Sequence, residues 1–420
     1  MGNGLGLSRM KQFLKFAHSV QGANHLRDGK VCQDASRAYE NGWMSVIAVA
    51  DGHGSDNYPR TDQGSKFAVD AALEAIKEFA KAVRQEDPQD AINVFAEQND
   101  RLHDLELNIL RRWHESVDRD IAAHPFCEGE LEKVSEKYRG IYCDEKSPRR
   151  KKAYGTTLIA ICVTEDYWFG LQIGDGKCFA IGWDGACTEP IPWDEDCQGN
   201  VTTSICDTNA LEEFRFFCGE GFPLAVFIGS DGVDDSYAGD DELHDLYRTI
   251  FCMFAEKGAK VGMGEIRQFL PVMSKNGSGD DVSMAGLIRE EVPQEVVNLV
   301  RCQKEYSTAQ RQDQRLSGKI AIAKEKRDYI KNADPETEAG ERLWRFEAEY
   351  EGLLKEQQAV RTALEEAQRR LDAAKASCRG VLSAPGGSTL SLKAEAWVKK
   401  EPKRTVRKKN GSKPYKKRKK

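Results

Sequence analysis

The sequence contains no apolar run near the roughly 20 residues that a helix needs to cross a bilayer. Its first stretch, MGNGLGLSRMKQF, lacks the apolar core of a signal peptide, and Gly6 stands where a myristoylation signal has Ser or Thr. These absences argue against an integral membrane protein. We therefore expect no membrane span and a cytoplasmic location.

The cysteines and histidines are not arranged for disulfides or for zinc. The 12 cysteines are scattered from Cys32 to Cys378 without a Cys-x-x-Cys pair, and the 7 histidines lack metal-finger spacing. Several cysteines, such as Cys162 in LIAICVT, fall inside apolar runs. We therefore expect reduced cysteines that serve as packing residues.

The chain is too long for a single compact core, since such cores stop growing near roughly 250–300 residues. Its 420 residues are 40% apolar and 31% charged, which is typical of a globular protein with a charge-rich addition. The whole chain has a net charge of −6, yet residues 399–420 carry 13 Lys or Arg and one acid. An acidic body therefore precedes a basic tail.

Residues 10–290 are expected to form the globular domain, because short apolar runs of strand length alternate there with amphipathic stretches. Turn sequences such as GDGK at 174–177 join successive strands, which is typical of antiparallel pairs. We predict antiparallel sheets covered by long helices, an α+β fold. The predicted strands are 44–50, 157–163, 167–173, 178–183, 224–229 and 282–288, and the predicted helices are 64–83 and 89–122.

Residues 293–379 are rich in Glu, Gln, Lys, Arg and Ala, with one proline-marked break at 332–335. Apolar residues three and four apart predict two long helices, paired as an antiparallel hairpin or coiled coil about 60 Å long. Self-pairing of the two arms and pairing with a second molecule through the same stripe both remain open. The stripe comprises Leu316, Ile320, Ala323 and Ile330 on the first arm and Leu343, Phe346, Tyr350, Leu353, Gln357, Val360, Leu364, Ala367, Leu371 and Ala374 on the second.

Residues 380–420 have loop composition followed by the basic tail, and we predict disorder there. A tail of this charge suits an acidic surface, anionic lipid or the phosphates of a nucleic acid. It has no interleaved aromatic residue apart from Tyr415, so base stacking is not expected.

Aspartates stand at the ends of several predicted strands. Each one alone would be read as a turn residue, as we read Asp184 in WDGA. Several carboxylates gathered at one place would raise one another's pKa unless cations held them ionised. Oxygen ligands without organised Cys or His point to Mg²⁺ or Mn²⁺. The aspartates are Asp34, Asp51, Asp175, Asp231, Asp280 and Asp281.

The order of these motifs resembles the PPM/PP2C family of metal-dependent protein serine/threonine phosphatases, particularly its bacterial branch. No single piece is specific, but the ordered series over about residues 10–290 is. The matching pieces are GxxH at 22–25, CQDA at 32–35, ADGHG at 50–54, GTTL at 155–158, GDG at 174–176, SDGV at 230–233 and GDD at 279–281.

The resemblance implies a four-layer α-β-β-α sandwich with two Mn²⁺ or Mg²⁺ ions between the sheets. Asp51 would bridge the two ions, and the Gly52 carbonyl would be a second donor to one of them. The other implied ligands are Asp34, Asp231 and Asp280, with Asp175 at a third, weaker ion. Asp281 stands where the family usually has Asn, so Asp280 is the better candidate of that pair.

The implied reaction is attack of an activated water on a phosphomonoester, with no phosphoenzyme. His53 is placed to protonate the departing serine or threonine oxygen. The alternative for His53 is a turn histidine bonded to backbone.

Two departures from the family pattern concern phosphate binding. The position that holds an Arg in eukaryotic members is Gly29 here, and Arg27, Lys30 or Arg60 would have to replace it. The usual Glu before the first aspartate is Gln33. Residues 186–222 lie where the family has a variable flap that shapes substrate choice.

We therefore expect an active protein serine/threonine phosphatase that acts on a phosphoprotein. The first alternative is a pseudophosphatase scaffold that binds partners through the helical hairpin. The second is a nucleic-acid binder that uses residues 399–420.

Overall fold

The computed structural model describes residues 13–85, 100–197, 201–331 and 339–382. The basic tail, the break between the hairpin arms at 332–335 and residues 89–99 of the second predicted helix lie outside this part of the chain. The predictions for these segments therefore remain predictions.

Ten strands form two five-stranded antiparallel sheets in the described residues. The sheet that we call sheet A has the order β1-β10-β9-β6-β7, and sheet B has the order β2-β3-β4-β5-β8. The strands are β1 (Phe13–Val20), β2 (Ala35–Glu40), β3 (Met44–Ala50), β4 (Leu158–Thr164), β5 (Tyr167–Ile173), β6 (Lys177–Ile181), β7 (Cys187–Thr188), β8 (Arg215–Glu220), β9 (Ala225–Gly229) and β10 (Val282–Arg289).

The helices flank the sheets, and a 3₁₀ turn at Pro148–Tyr154 precedes β4. They are α1 (Ala23–Asp28), α2 (Thr61–Arg84), α3 (Asp100–Ala123), α4 (Glu136–Cys143), α5 (Ala210–Glu213), α6 (Asp231–Asp234), α7 (Asp240–Asn276), α8 (Gln294–Lys331) and α9 (Ala339–Leu382).

Three apolar clusters separate four layers. Residues such as Val49 and Ile161 of sheet B and Ile228 and Leu287 of sheet A fill the space between the sheets. The other face of sheet B packs against α2 and α3, and the other face of sheet A packs against α7, α8 and the end of α9. The four-layer α-β-β-α sandwich of antiparallel sheets is thus confirmed. All predicted strands are present, with ends shifted by a few residues.

The C-terminal extension is an antiparallel pair of helices, as predicted. Its seam contains buried Leu316 and Ala323 of α8, and Gln357 of α9 donates from Nε2 to Ser317 Oγ over 2.7 Å. The apolar stripe is therefore used within the chain. Near the base, Leu371 is buried in the cluster that covers sheet A, so the hairpin joins the core of the sandwich.

None of the described helices is long and apolar enough to span a bilayer. All 12 cysteines are free. Cys162 and Cys178 are buried as expected, whereas Cys127 and Cys143 are exposed.

Candidate active site

Antiparallel pairing within sheet B places Asp34 beside Asp51. Ala35 at the start of β2 pairs with Ala50 at the end of β3, and the two aspartates are the next residues outward. The Thr157 N–H donates to the Asp51 carbonyl over 2.8 Å, so the backbone that carries Asp51 is tied to the entrance of β4.

The corresponding pairing within sheet A brings Asp231 to Asp280 and Asp281. Asp231 follows β9 and the Asp280-Asp281 pair precedes β10, which are neighbouring antiparallel strands. The two sheets meet at Ser230, whose Oγ donates to Asp34 Oδ2 over 2.8 Å. Residues far apart in sequence thus converge on one edge of the sandwich.

Asp175 reaches the same edge because the chain crosses from sheet B to sheet A between β5 and β6. Gly174 takes φ 104° in this crossing, a conformation that favours glycine. Burial and then the charge of Asp231 raise the pKa of Asp175 to about 6.

These residues open into a cleft of about 630 Å³. Its described lining contains several carboxylates and neither Lys nor Arg. A phosphate group placed in this cleft would therefore meet acidic side chains and no basic Lys or Arg side chain among the described lining residues. The lining residues are Asp51, Gly52, His53, Gly54, Ser55, Tyr58, Thr157, Asp175, Val201, Thr202, Asp231, Asp235, Asp280 and Asp281.

The surroundings of Asp34 and Asp51 disfavour the ionised form of these two carboxyl groups. Burial, followed by the charge of Asp281, raises the pKa of Asp34 well above its usual range. Burial, followed by the charges of Asp34 and Asp231, does the same to the pKa of Asp51. A divalent cation would relieve this repulsion, and a set of carboxylate oxygens is the kind of site that Mg²⁺ and Mn²⁺ occupy. The residues therefore fit such ions.

Gly52 is required by close packing. A Cβ at this position would lie 2.6 Å from the Gln33 carbonyl oxygen and would also collide with Thr61 Oγ1. Only a residue without a side chain allows these segments to close around Asp51.

Asp280 and Asp281 have different surroundings. The buried Asp281 carboxylate accepts the N–H groups of Gly22 and Gln33, each over 2.6 Å, and its Oδ1 lies 2.9 Å from His25 Nδ1. The Asp280 side chain is 59% exposed and lines the cleft. Asp281 thus ties loops together, which leaves Asp280 as the freer carboxylate.

His53 lies in the cleft wall and is partly buried. Its backbone N–H donates to the Gly155 carbonyl over 3.1 Å. Its ring Nε2 lies 2.8 Å from Ser204 Oγ, and the ring packs edge-on against Tyr58. Burial lowers the pKa of His53 to about 4. The ring is therefore largely neutral at pH 7 when no substrate is bound.

The structure does not bring Arg27 or Arg60 to the cleft. Arg27 is exposed and pairs with Asp28 over 3.0 Å. Arg60 is buried beneath Phe126 and forms two hydrogen bonds with Glu130. Lys30 is nearer, since its Nζ lies 3.4 Å from the carbonyl of Gly54, which lines the cleft.

Sequence reasoning missed several residues of this site. Asp235 follows Asp231 by four positions, a helical spacing that would have suggested a shared face. Ser230 precedes a candidate ligand at a strand end. Ser204 and Tyr58 left no local signal, because their contacts with His53 form only when the chain folds.

The family model described as Protein phosphatase 2C matches residues 21–270. No curated protein matches the chain. Matching solved structures include the serine/threonine phosphatase Stp1 from Staphylococcus aureus, which is 14% identical with a TM-score of 0.41 and covers 69% of this chain and 100% of its own.

Two further solved structures have comparable scores. PppA, a regulatory component of T6SS in Pseudomonas aeruginosa, is 16% identical with a TM-score of 0.41 and covers 66% of this chain and 97% of its own. The Mycobacterium tuberculosis serine/threonine phosphatase PstP/Ppp is 14% identical with a TM-score of 0.38 and covers 66% of this chain and 99% of its own. The family match spans more than half of the sequence and includes most of the aspartate motifs, and the chain therefore belongs to the protein phosphatase 2C family.

Proposed function

We propose that the protein removes phosphate from phosphoserine or phosphothreonine in a protein substrate, with two Mn²⁺ or Mg²⁺ ions and without a phosphoenzyme. The observation that carries this proposal is the carboxylate-lined cleft whose described lining contains no Lys or Arg. Such a wall binds a phosphate dianion only through cations. A scaffold without catalytic need of cations would gain nothing from clustering these charges.

The proposed metal ligands are the residues that the two sheets bring to one edge. Asp51 and the Gly52 carbonyl would hold the two ions, and Asp175 would hold a third, weaker one. The remaining carboxylate ligands would be Asp34, Asp231 and Asp280. When bound, such ions neutralise the phosphoryl oxygens and lower the pKa of a water molecule that attacks phosphorus.

His53 would supply the proton that the departing serine or threonine oxygen needs. Its neutral state in the free cleft does not oppose this role, because a phosphate dianion beside the ring raises the pKa of a histidine. Lys30, at the rim, is the proposed cation for the outer phosphate oxygens. Arg27 and Arg60 are less suited, since one faces solvent and the other is engaged by Glu130.

The test compares the wild-type protein with Asp51→Asn on a phosphoserine peptide in Mn²⁺. We expect at least about a 100-fold lower rate for the variant, since metal binding and water activation are lost together. Asp184→Asn is the matched control, because Asp184 is an exposed turn aspartate that, among the described residues, accepts only the Ala186 N–H. Its rate should equal that of the wild type.

The same experiment separates the enzyme from a pseudophosphatase scaffold. Equal rates for the wild type and Asp51→Asn, unaffected by EDTA, would reject the phosphatase proposal. The scaffold reading would then be favoured, with α8 and α9 as the partner-binding element. The nucleic-acid reading concerns residues 399–420 and stays a prediction, as does the cytoplasmic location.

A further inference from the structure

Ser204 is the flap residue that contacts the candidate proton donor. It lies within residues 186–222 and is almost completely buried. Its Oγ has four polar neighbours in the described part of the chain. These are His53 Nε2 at 2.8 Å, the Thr156 carbonyl oxygen at 3.0 Å, Cys206 Sγ at 3.2 Å and the Cys206 N–H at 3.4 Å.

The single Ser204 proton has one placement that satisfies the shortest contacts. A carbonyl oxygen only accepts, so the 3.0 Å approach of Ser204 Oγ to Thr156 is attractive only if the hydroxyl donates there. If the hydroxyl proton pointed elsewhere, the lone pairs of Ser204 Oγ and of the Thr156 carbonyl oxygen would face and repel each other. Ser204 Oγ must then accept from His53, which places a proton on Nε2.

The partner carbonyl is itself fixed. Thr156 receives a second hydrogen bond from the Ile205 N–H over 3.0 Å, and its own hydroxyl donates to the Asp51 carbonyl over 2.7 Å. One residue therefore ties together the strand end that carries Asp51 and the flap that carries Ser204. The imidazole is oriented relative to the carboxylate cluster through this link.

We propose that Ser204 is a positioning residue for His53: Ser204 Oγ accepts from the ring, holds it as the Nε2–H tautomer and fixes the orientation of the imidazole in the cleft wall. The catalytic importance of this contact rests on the proposed phosphatase function. The contact itself does not. The flap thereby sets the orientation of the proton donor as well as the shape of the cleft.

The first experiment measures the tautomer directly in protein with ¹⁵N-labelled histidine. His53 is assigned by its loss in His53→Gln, and spectra are recorded at one pH without metal and with Mg²⁺. We expect the Nε2–H form alone in the wild type and a mixture of both tautomers in Ser204→Ala. Cys206→Ala is the matched control, because it removes the other side chain at Ser204 and leaves the contact with His53, so its spectrum should match the wild type.

The second experiment uses the leaving group. A serine alkoxide requires a proton when it departs, whereas p-nitrophenolate does not. Ser204→Ala should lower kcat about 10-fold on a phosphoserine peptide and less than about 2-fold on p-nitrophenyl phosphate, with KM unchanged. Ser204→Thr, which keeps the hydroxyl, should restore the peptide rate. An equal loss on both substrates would indicate a merely structural role and overturn the proposal.

The two experiments distinguish failure of this inference from failure of the proposed function. An unchanged His53 tautomer in Ser204→Ala overturns the positioning role, whatever the activity. A changed tautomer in a chain that hydrolyses neither substrate supports the contact and rejects the phosphatase. Should Ser204→Ala not fold, Ser204→Cys fills the site with a slightly larger side chain but replaces the oxygen with a weak sulfur acceptor, and the same tautomer mixture is expected.

Discussion

Asp51 occupies a position where a buried strand ends and a tightly packed turn begins. The position of Asp51 depends on Gly52, because the Gln33 carbonyl oxygen lies 2.6 Å from where a Cβ at residue 52 would be. Gly54, two residues later, has only Gln33 Oε1 near its would-be Cβ, at 3.8 Å. The two glycines therefore differ in how they tolerate a methyl group.

Gly52→Ala should lower the free energy of unfolding by about 1–3 kcal/mol, because backbone atoms must shift to admit the methyl group. The comparison is made by urea unfolding of metal-free protein. Gly54→Ala is the matched control and should unfold at the wild-type midpoint. Equal midpoints for both variants would contradict the packing role of Gly52.

The buried carboxyls predict an unusual pH dependence for the metal-free protein. The folded-state pKa values of Asp34 and Asp51 lie well above the unfolded value near 3.9. The folded chain therefore binds more protons than the unfolded chain over that interval. The contribution of these groups to the free energy of unfolding falls as pH rises from the unfolded pKa through the folded one.

Urea unfolding between pH 5 and pH 8 measures this dependence. Asp34→Asn should flatten the decline, because it removes one titrating group and relieves Asp51. Saturating Mg²⁺ should flatten it as well, since the cation stabilises the ionised form. An unchanged slope in Asp34→Asn would show that the acidic cluster does not determine the pH dependence.

At the scale of elements, the long helix α7 is the clearest departure from sequence expectation, since no helix was predicted between 224–229 and 282–288. It covers sheet A, and Gly258 interrupts it with φ 75° and ψ 172°. That conformation is accessible essentially to glycine alone. Residues of α7 on both sides of this bend are buried in the apolar cluster that covers sheet A.

Gly258→Ala should destabilise the protein by about 1–2 kcal/mol, because alanine is strained at this positive φ. No atom lies within 4 Å of the would-be Cβ, so the cause is the backbone and not a clash. Gly264→Ala, in the helical part and equally open, should instead stabilise by about 0.5–1 kcal/mol. Thermal unfolding of the pair checks the signs, and a neutral Gly258→Ala would refute the strain.

In the whole molecule, the base of the α8–α9 hairpin is part of the helical layer that covers sheet A, and the rest of the hairpin extends beyond it. Val296 and Val300 of α8 and Leu371 and Cys378 of α9 are buried in the cluster that covers sheet A. The predicted boundary between residues 290 and 293 separates two segments of sequence. It does not separate two apolar cores.

A chain ending at Glu291 should therefore unfold at lower urea concentration and bind more of a dye that senses apolar surface. The matched control replaces only residues 324–350, at the far end of the hairpin, with a short Gly-Ser loop. That chain keeps the buried base and should retain the wild-type midpoint. Equal stability of the chain ending at Glu291 would show that the sandwich needs no cover from α8 and α9.

Much of the architecture was readable from local pattern. Continuous apolar runs such as MSVIAVA at 44–50 and VSMAGLI at 282–288 predict strands, because a strand whose sheet is covered on both faces has apolar residues at successive positions. Four strands, β1, β2, β7 and β8, were missed. KFAHSV in β1 and ASRAYE in β2 mix polar and apolar residues without the pattern of a fully buried strand, and β7 is only two residues long. The heptad of α9 predicted the pairing of the hairpin arms because helix contacts repeat along one chain.

Local patterns in the chain were enough to predict the family, the acidic residue types and their positions at strand ends, since these depend on neighbouring residues. Folding was needed to show which acids share a cleft, that Asp281 ties loops together, that Arg60 is buried against Glu130, and that Ser204 contacts His53. Each of these is a contact between residues tens to hundreds of positions apart. Such contacts arise from strand order and from the closing of two sheets, which no local pattern records.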